Sequence, residues 1–203
     1  MKDLLHTIVA NDVLHAKFLN TLSLMENTGA RKISSAQSLE TVNVTMLKHA
    51  AEEHRHAFYL KKQLLKLHPD WCKTYQYTEL LAPVASKQYL YKLDIAASRY
   101  LRKELNLSHT NLRFAAYLMV TYVIEVRADE LYPIYQEVLS TASSRINVKS
   151  IILEEQGHLE EMIDQLNRFS PAWEQHVQKL LSIEHDLYAQ WVQQIKDDVY
   201  VLH

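Results

Sequence analysis

The chain has 203 residues, 48% apolar and 23% charged, the balance of one soluble domain large enough to bury its own core. Only two glycines and four prolines are available to end elements, too few for a many-stranded β fold, so an all-α chain is expected. A formal charge of −2, with no basic run longer than a pair such as Lys61-Lys62, disfavours nucleic acid as a partner, and the lone Cys72 excludes a disulfide framework and Cys-x-x-Cys metal sites. Residues 1–6 lack an apolar signal core, and later apolar stretches are broken by polar side chains, so the expectation is a cytoplasmic protein that neither spans nor is anchored to a membrane.

Apolar residues recur at helical spacing over 4–33 (Leu5, Ile8, Phe18, Leu19, Leu22) and predict a first helix, followed by a polar stretch around Ser34, Ser35 and Ser38. A second periodic run (Val42, Met46, Leu60, Leu64) reaches His68, where Pro69 stops it. Residues 70–86 read as irregular, 87–105 as an amphipathic helix, and 111–139 as a third long helix that Pro133 should kink or end early. The cluster 140–144 is a connection, and Asn147 is the expected cap of a helix reaching about residue 168. Ser170-Pro171 reads as the cap and first position of a last helix, to about 198, with enough apolar residues to cover the bundle or to pair with a second chain as a homodimer.

The pattern E-E-x-x-H occurs twice, as Glu52-Glu53-His54-Arg55-His56 and as Glu154-Glu155-Gln156-Gly157-His158. Residues three apart share a helix face, so Glu53 with His56, and Glu155 with His158, can each chelate one metal ion. A chain of this composition would contain roughly one E-x-x-H by accident, so the position of the motifs on their helices carries more weight. Steps of three and four through the second helix give Met46, His49, Glu53, His56 and Leu60, and through the fourth give Ile151, Glu155, His158 and Met162, which puts both motifs on apolar stripes. Glu26 lies in register with Leu19 and Leu22, and Glu125 with Phe114, Leu118 and Thr121.

The spacings agree with two antiparallel hairpins. Glu26 and Glu53 level with each other put one tip near residue 39, Glu125 and Glu155 put the other near 140, and the 72 residues from Glu53 to Glu125 suit a long crossover containing the 87–105 helix. Four buried carboxylates with only two neutral histidines would have to take up protons, whereas two divalent cations would neutralise them. Mixed oxygen and nitrogen ligands suit iron or manganese, and zinc can occupy such a site without redox chemistry.

One glutamate from each of two helices, with Glu-x-x-His from each of two others, resembles the ferritin-like di-iron carboxylate superfamily over about residues 5–168. The resemblance implies a ferritin-like four-helix bundle with a long crossover and an extra C-terminal helix. It further implies that Glu26, Glu53, His56, Glu125, Glu155 and His158 hold two iron ions, with Glu53 and Glu155 bridging. Family members often carry Asp before the motif glutamate, hydrogen-bonded to a ligand histidine. Here Glu52 and Glu154 stand there, and Gly157 replaces the family's Arg in the second copy. The implied activity is that of an oxidase or oxygenase acting with O2 and an electron donor on a small apolar substrate. Ferroxidase or storage activity, and a helical interaction protein with a structural metal, are the alternatives.

Blander readings stand beside these. The Glu-x-x-His pairs could be a surface salt-bridge face, Asp129 or Glu130 could replace Glu125, and Asn27-Thr28-Gly29 could cap a helix that ends at Glu26. If that helix continues, both glycines sit beside ligand candidates, leaving room either for dioxygen or substrate or for close helix packing. Tyr122 is a candidate redox phenol or a core tyrosine, His49 an outer partner or an additional ligand, and Cys72 a small apolar residue.

Overall fold

The computed structural model describes residues 1–37 and 40–201. Among them are seven α-helices and no strand, and no helix is long and apolar enough to cross a membrane. The expected first helix is two helices, α1 (Lys2–Val9) and α2 (Asp12–Ala36). Asn11 makes the break: its side chain accepts hydrogen bonds from the backbone N–H of Val13 and Leu14 at 3.0 and 3.1 Å, so a new helix starts there. α2 runs past Glu26 and Gly29, so no C-cap forms at Asn27-Thr28-Gly29. The expected tip near residue 39, with Ser38, lies outside the described residues.

Asn43 caps α3 (Val44–Leu67), which stops at His68 before Pro69. A single 3₁₀ turn at Tyr77–Glu79 leads to α4 (Pro83–Glu104), whose first residue is a proline at a position where no backbone donor is needed. Ser108 caps α5 (His109–Thr141), which continues through Pro133, so the expected early end does not occur. Tyr132, Tyr135, Val138 and Leu139 are buried on either side of the proline, and their packing outweighs the one lost backbone hydrogen bond.

α6 (Lys149–Phe169) starts after Val148 without a side-chain cap. Asn147 does not cap it, because its side chain accepts instead from the Tyr59 hydroxyl at 2.8 Å. α7 (Trp173–Val201) begins beyond Pro171, since the Ser170 hydroxyl accepts from the Ala172 N–H and holds a turn there.

α2 packs along α3, and α5 along α6. α4 lies against α2, α5 and α7, and α7 covers α4 and α5. Val177, Leu180, Trp191 and Ile195 of α7 are buried within the chain, so this helix covers the bundle.

The core is in two parts. One contains Leu19, Leu22, Leu60, Leu131 and Ile151; the other contains Ile33, Met46, Val123 and Met162. Each of α2, α3, α5 and α6 therefore passes from one apolar cluster to the other. Glu26, Glu53 with His56, Glu125, and Glu155 with His158 fall in the intervals between. Four helices thus interrupt their apolar stripes with carboxylate and imidazole at one level, where apolar side chains would have completed a continuous core at no desolvation cost.

Candidate metal centre

Glu53, Glu125, Glu155, His56 and His158 are buried, and Glu26 is half-buried. They form two overlapping groups, Glu26, Glu53, His56 and Glu155 in one and Glu53, Glu125, Glu155 and His158 in the other, with the donor atoms of each group within 4.8 Å of one another. Glu53 and Glu155 belong to both groups, the positions at which the resemblance puts bridging carboxylates. Asp129 and Glu130 are exposed, and Glu130 pairs with Arg127, so Glu125 is the inward acid of α5.

Both imidazoles turn Nδ1 towards the carboxylates. His56 Nδ1 lies 3.0 Å from Glu155 Oε1, and His158 Nδ1 lies 3.2 Å from Glu155 Oε2 and 3.6 Å from Glu125 Oε2. Their Nε2 atoms face outward and are held crosswise. His56 Nε2 donates to Glu154 of α6 at 2.9 Å, and His158 Nε2 donates to Glu52 of α3 at 2.9 Å. Arg55 ties the two outer acids together, 2.6 Å from Glu154 and 3.6 Å from Glu52. A proton on Nε2 leaves the Nδ1 lone pair directed inward, the tautomer a metal ligand requires. His56 Nδ1 is buried and has no hydrogen-bond partner. It faces carboxylate oxygen at 3.0 Å, a juxtaposition that a proton or a cation between them would reconcile.

The electrostatics have the same sense. Burial, then repulsion from Glu26, Glu155 and Glu125, holds the Glu53 carboxyl well above its usual range. Glu125 is likewise raised, by burial and then by Glu155. Burial would raise Glu155 too, but a hydrogen bond from Glu125 and the two imidazoles beside it outweigh burial and lower its pKa. Burial opposes charge on His158 as well, yet Glu155 raises its pKa to about 9. Protons therefore do the neutralising that two divalent cations would do in their place. The residues present fit a pair of such ions.

His49 belongs to neither group of donors. Its Nδ1 meets the Tyr117 hydroxyl and its Nε2 meets Glu161, both at 3.1 Å, and its ring lies tilted against that of His158, with centroids 5.1 Å apart. Tyr122 is not in the site. It is half-buried, its ring edge-on to Trp173 at 5.3 Å, because residue 122 projects from α5 towards α7. The phenol at the centre is Tyr132, which is buried and donates its hydroxyl to Glu26. Sequence reasoning missed it, although it lies two turns beyond Glu125 on the same face of α5. Gly29 is beside the site, since a Cβ there would stand 3.7 Å from Glu53 Oε2. Gly157 is exposed with nothing near its Cβ direction, so it makes no room for a ligand and no close helix packing.

A cavity of about 260 Å³ opens onto Glu26, Glu53, Glu125 and Glu155. It runs between α2, α4 and α5, and its middle is walled by apolar side chains such as Met25, Ile33, Leu90, Val120 and Ile124. Compared with family models, with curated proteins and with solved structures, the chain matches none.

Proposed function

We propose that this chain is a ferritin-like di-iron carboxylate protein acting as an O2-dependent oxidase or oxygenase on a small, largely apolar substrate. The observation that carries the reading is the layer of four carboxylates and two inward Nδ1 atoms lying where an apolar cavity ends. Glu26, Glu53, His56 and Glu155 would hold one ion, and Glu53, Glu125, Glu155 and His158 the other. Manganese or zinc could substitute for iron at such oxygen and nitrogen donors. Two bound ferrous ions would supply the electrons that activate dioxygen.

The protein's own contribution is positioning. Glu52 and Glu154 fix the histidine tautomers, Tyr132 orients Glu26, and the apolar wall excludes water from the carboxylate layer. A structural metal would not need a cavity at its ligands, and an iron-storage subunit would not need an apolar one. Both features favour oxidation of an organic substrate.

The test is metal content per chain, by elemental analysis, after anaerobic ferrous loading and desalting. About two irons in the parent, with clear loss in both Glu53→Ala and Glu155→Ala, is the result expected from two ions sharing those carboxylates. A parent that retains no iron overturns the proposal, and many irons per chain after aerobic loading would point to storage.

A further inference from the structure

The cavity has two polar ends. The inner end is the carboxylate layer, and the outer end carries Lys32 and Ser35 of α2, Asp94 and Ser98 of α4, and Arg113 of α5. From Glu125 back to Arg113 along α5 is three turns and a third, about 18 Å at 1.5 Å per residue. Lys32 is neutralised at this outer end, with its Nζ 2.6 Å from Asp94 and over the ring of Tyr91. Arg113 is not. Its guanidinium donates to the Ser35 carbonyl at 2.5 Å, and no carboxylate of the described residues lies at ion-pair distance from it. Its other N–H donors have no partner among the described residues and face solvent, and the group sits near the start of α5, where the helix dipole also favours an anion.

An apolar passage with a buried reactive layer at one end and an uncompensated cation at the other sorts amphipathic molecules by charge. We infer that the substrate class is a monocarboxylate with an extended aliphatic chain. Its head group pairs with Arg113 at the outer end, and its chain passes Ile33, Val120 and Ile124 to bring carbon to the layer of Glu26, Glu53, Glu125 and Glu155. This deepens the oxidase or oxygenase reading and rests on it for the chemistry, but the binding can be measured without iron. A cationic head group would meet Arg113 in repulsion, and a neutral one would forgo the ion pair.

The experiment is calorimetric titration of the full metal-free chain with decanoate, dodecanoate, dodecanol and dodecylammonium, each below its micelle concentration. Dodecanoate is expected to bind more tightly than decanoate and about ten-fold more tightly than dodecanol, with dodecylammonium weakest. Arg113→Lys should keep most of the preference, and Arg113→Glu should lower dodecanoate affinity at least ten-fold while leaving dodecanol unchanged. Arg113 is exposed, so both variants should fold like the parent. Equal binding of carboxylate and alcohol, or dodecanoate binding that Arg113→Glu does not weaken, overturns the inference. Retention of two irons by a protein that binds none of these ligands would sink this substrate class and leave the metal centre standing.

Discussion

Glu52 of α3 accepts a hydrogen bond from Nε2 of His158 in α6 at 2.9 Å, and the reverse clamp, Glu154 of α6 on His56 of α3, has the same length. Each E-E-x-x-H motif therefore supplies a glutamate to its own helix's donor pair and a clamp to the other helix's histidine. Replacing either clamp, as Glu52→Gln or Glu154→Gln, keeps the volume but lets the amide present either a donor or an acceptor to Nε2. The inward tautomer is then no longer enforced. Each variant should lose about 10- to 100-fold in ferrous affinity with little change in fold, measured by competition with a chelator. Unchanged affinity in both would mean that the crossed pairs only join α3 to α6.

The buried carboxylates predict opposite effects with and without metal. In the metal-free chain Glu53 and Glu125 are raised by burial and mutual repulsion, so the native state holds protons that the unfolded chain releases above the ordinary carboxylate range. Stability from these groups is lost as pH rises. Glu125→Gln should raise the neutral-pH stability of the metal-free protein by about 1–3 kcal/mol. It should also reduce the further gain that ferrous or manganous ions give the parent. Thermal melts at pH 7, with and without metal, read both effects, and a metal-free Glu125→Gln that melts below the parent would contradict this account.

The carboxylate and imidazole layer was legible in the sequence because its signal is local: two motifs at i, i+3 on apolar stripes, and two further glutamates in register with leucines. The relationships that crossed between helices were not. Nothing in the α5 sequence says that Tyr132 reaches Glu26, or that Arg127 meets Glu184 of α7, because those pairings depend on how helices far apart in the chain dock. Short-range capping failed for a related reason. Ser170 and Asn147 both carry cap chemistry, but a neighbouring turn and the Tyr59 hydroxyl compete for their side chains. Pro133 misleads in the same way, since one lost backbone bond is small beside the packing of the aromatic residues around it.

The two glycines should respond differently to alanine. Gly157 is helical, exposed and free of neighbours within 4 Å of its Cβ direction, so Gly157→Ala should stabilise the protein by about 1 kcal/mol and leave iron binding unchanged. Gly29→Ala gains the same helix propensity but puts a methyl group 3.7 Å from Glu53 Oε2, on the wall of the cavity. Melting temperature should rise in both variants, while binding of a cavity ligand falls only in Gly29→Ala. A fall in both would place Gly157 in a role its surroundings do not suggest.

Arg127 forms a two-pronged ion pair with Glu184, at 2.8 and 2.7 Å, and Tyr89 donates to the same carboxylate. α4, α5 and α7 meet at this point. Glu184 is 1% exposed, and Glu184→Ala would leave the guanidinium inside the helix junction with only Glu130 at the surface to compensate. The expected cost is about 3–5 kcal/mol by denaturant unfolding. Arg127→Met with Glu184→Leu, which removes both charges, should recover most of that loss. A double variant no better than the single one would locate the effect in lost packing and not in an unpaired charge.

His15 gives a pH dependence independent of the carboxylate layer. Its ring is buried in α2, with Nε2 2.6 Å from the Tyr135 hydroxyl, and burial lowers its pKa from 6.5 to about 4 against a small opposing effect of Asp12. Between those values the unfolded chain binds a proton that the native chain refuses, so stability falls as pH drops from about 6.5 to 4. The slope from this group ends below 4, where the native ring also protonates. A depression of this size is worth about 3 kcal/mol over the window. His15→Gln keeps a polar partner for Tyr135 but cannot titrate there. Its urea-unfolding free energy should therefore change less between pH 7 and pH 4.5 than that of the parent. Parallel curves for the two proteins across that window would show that His15 is protonated as readily in the native chain as in the unfolded one.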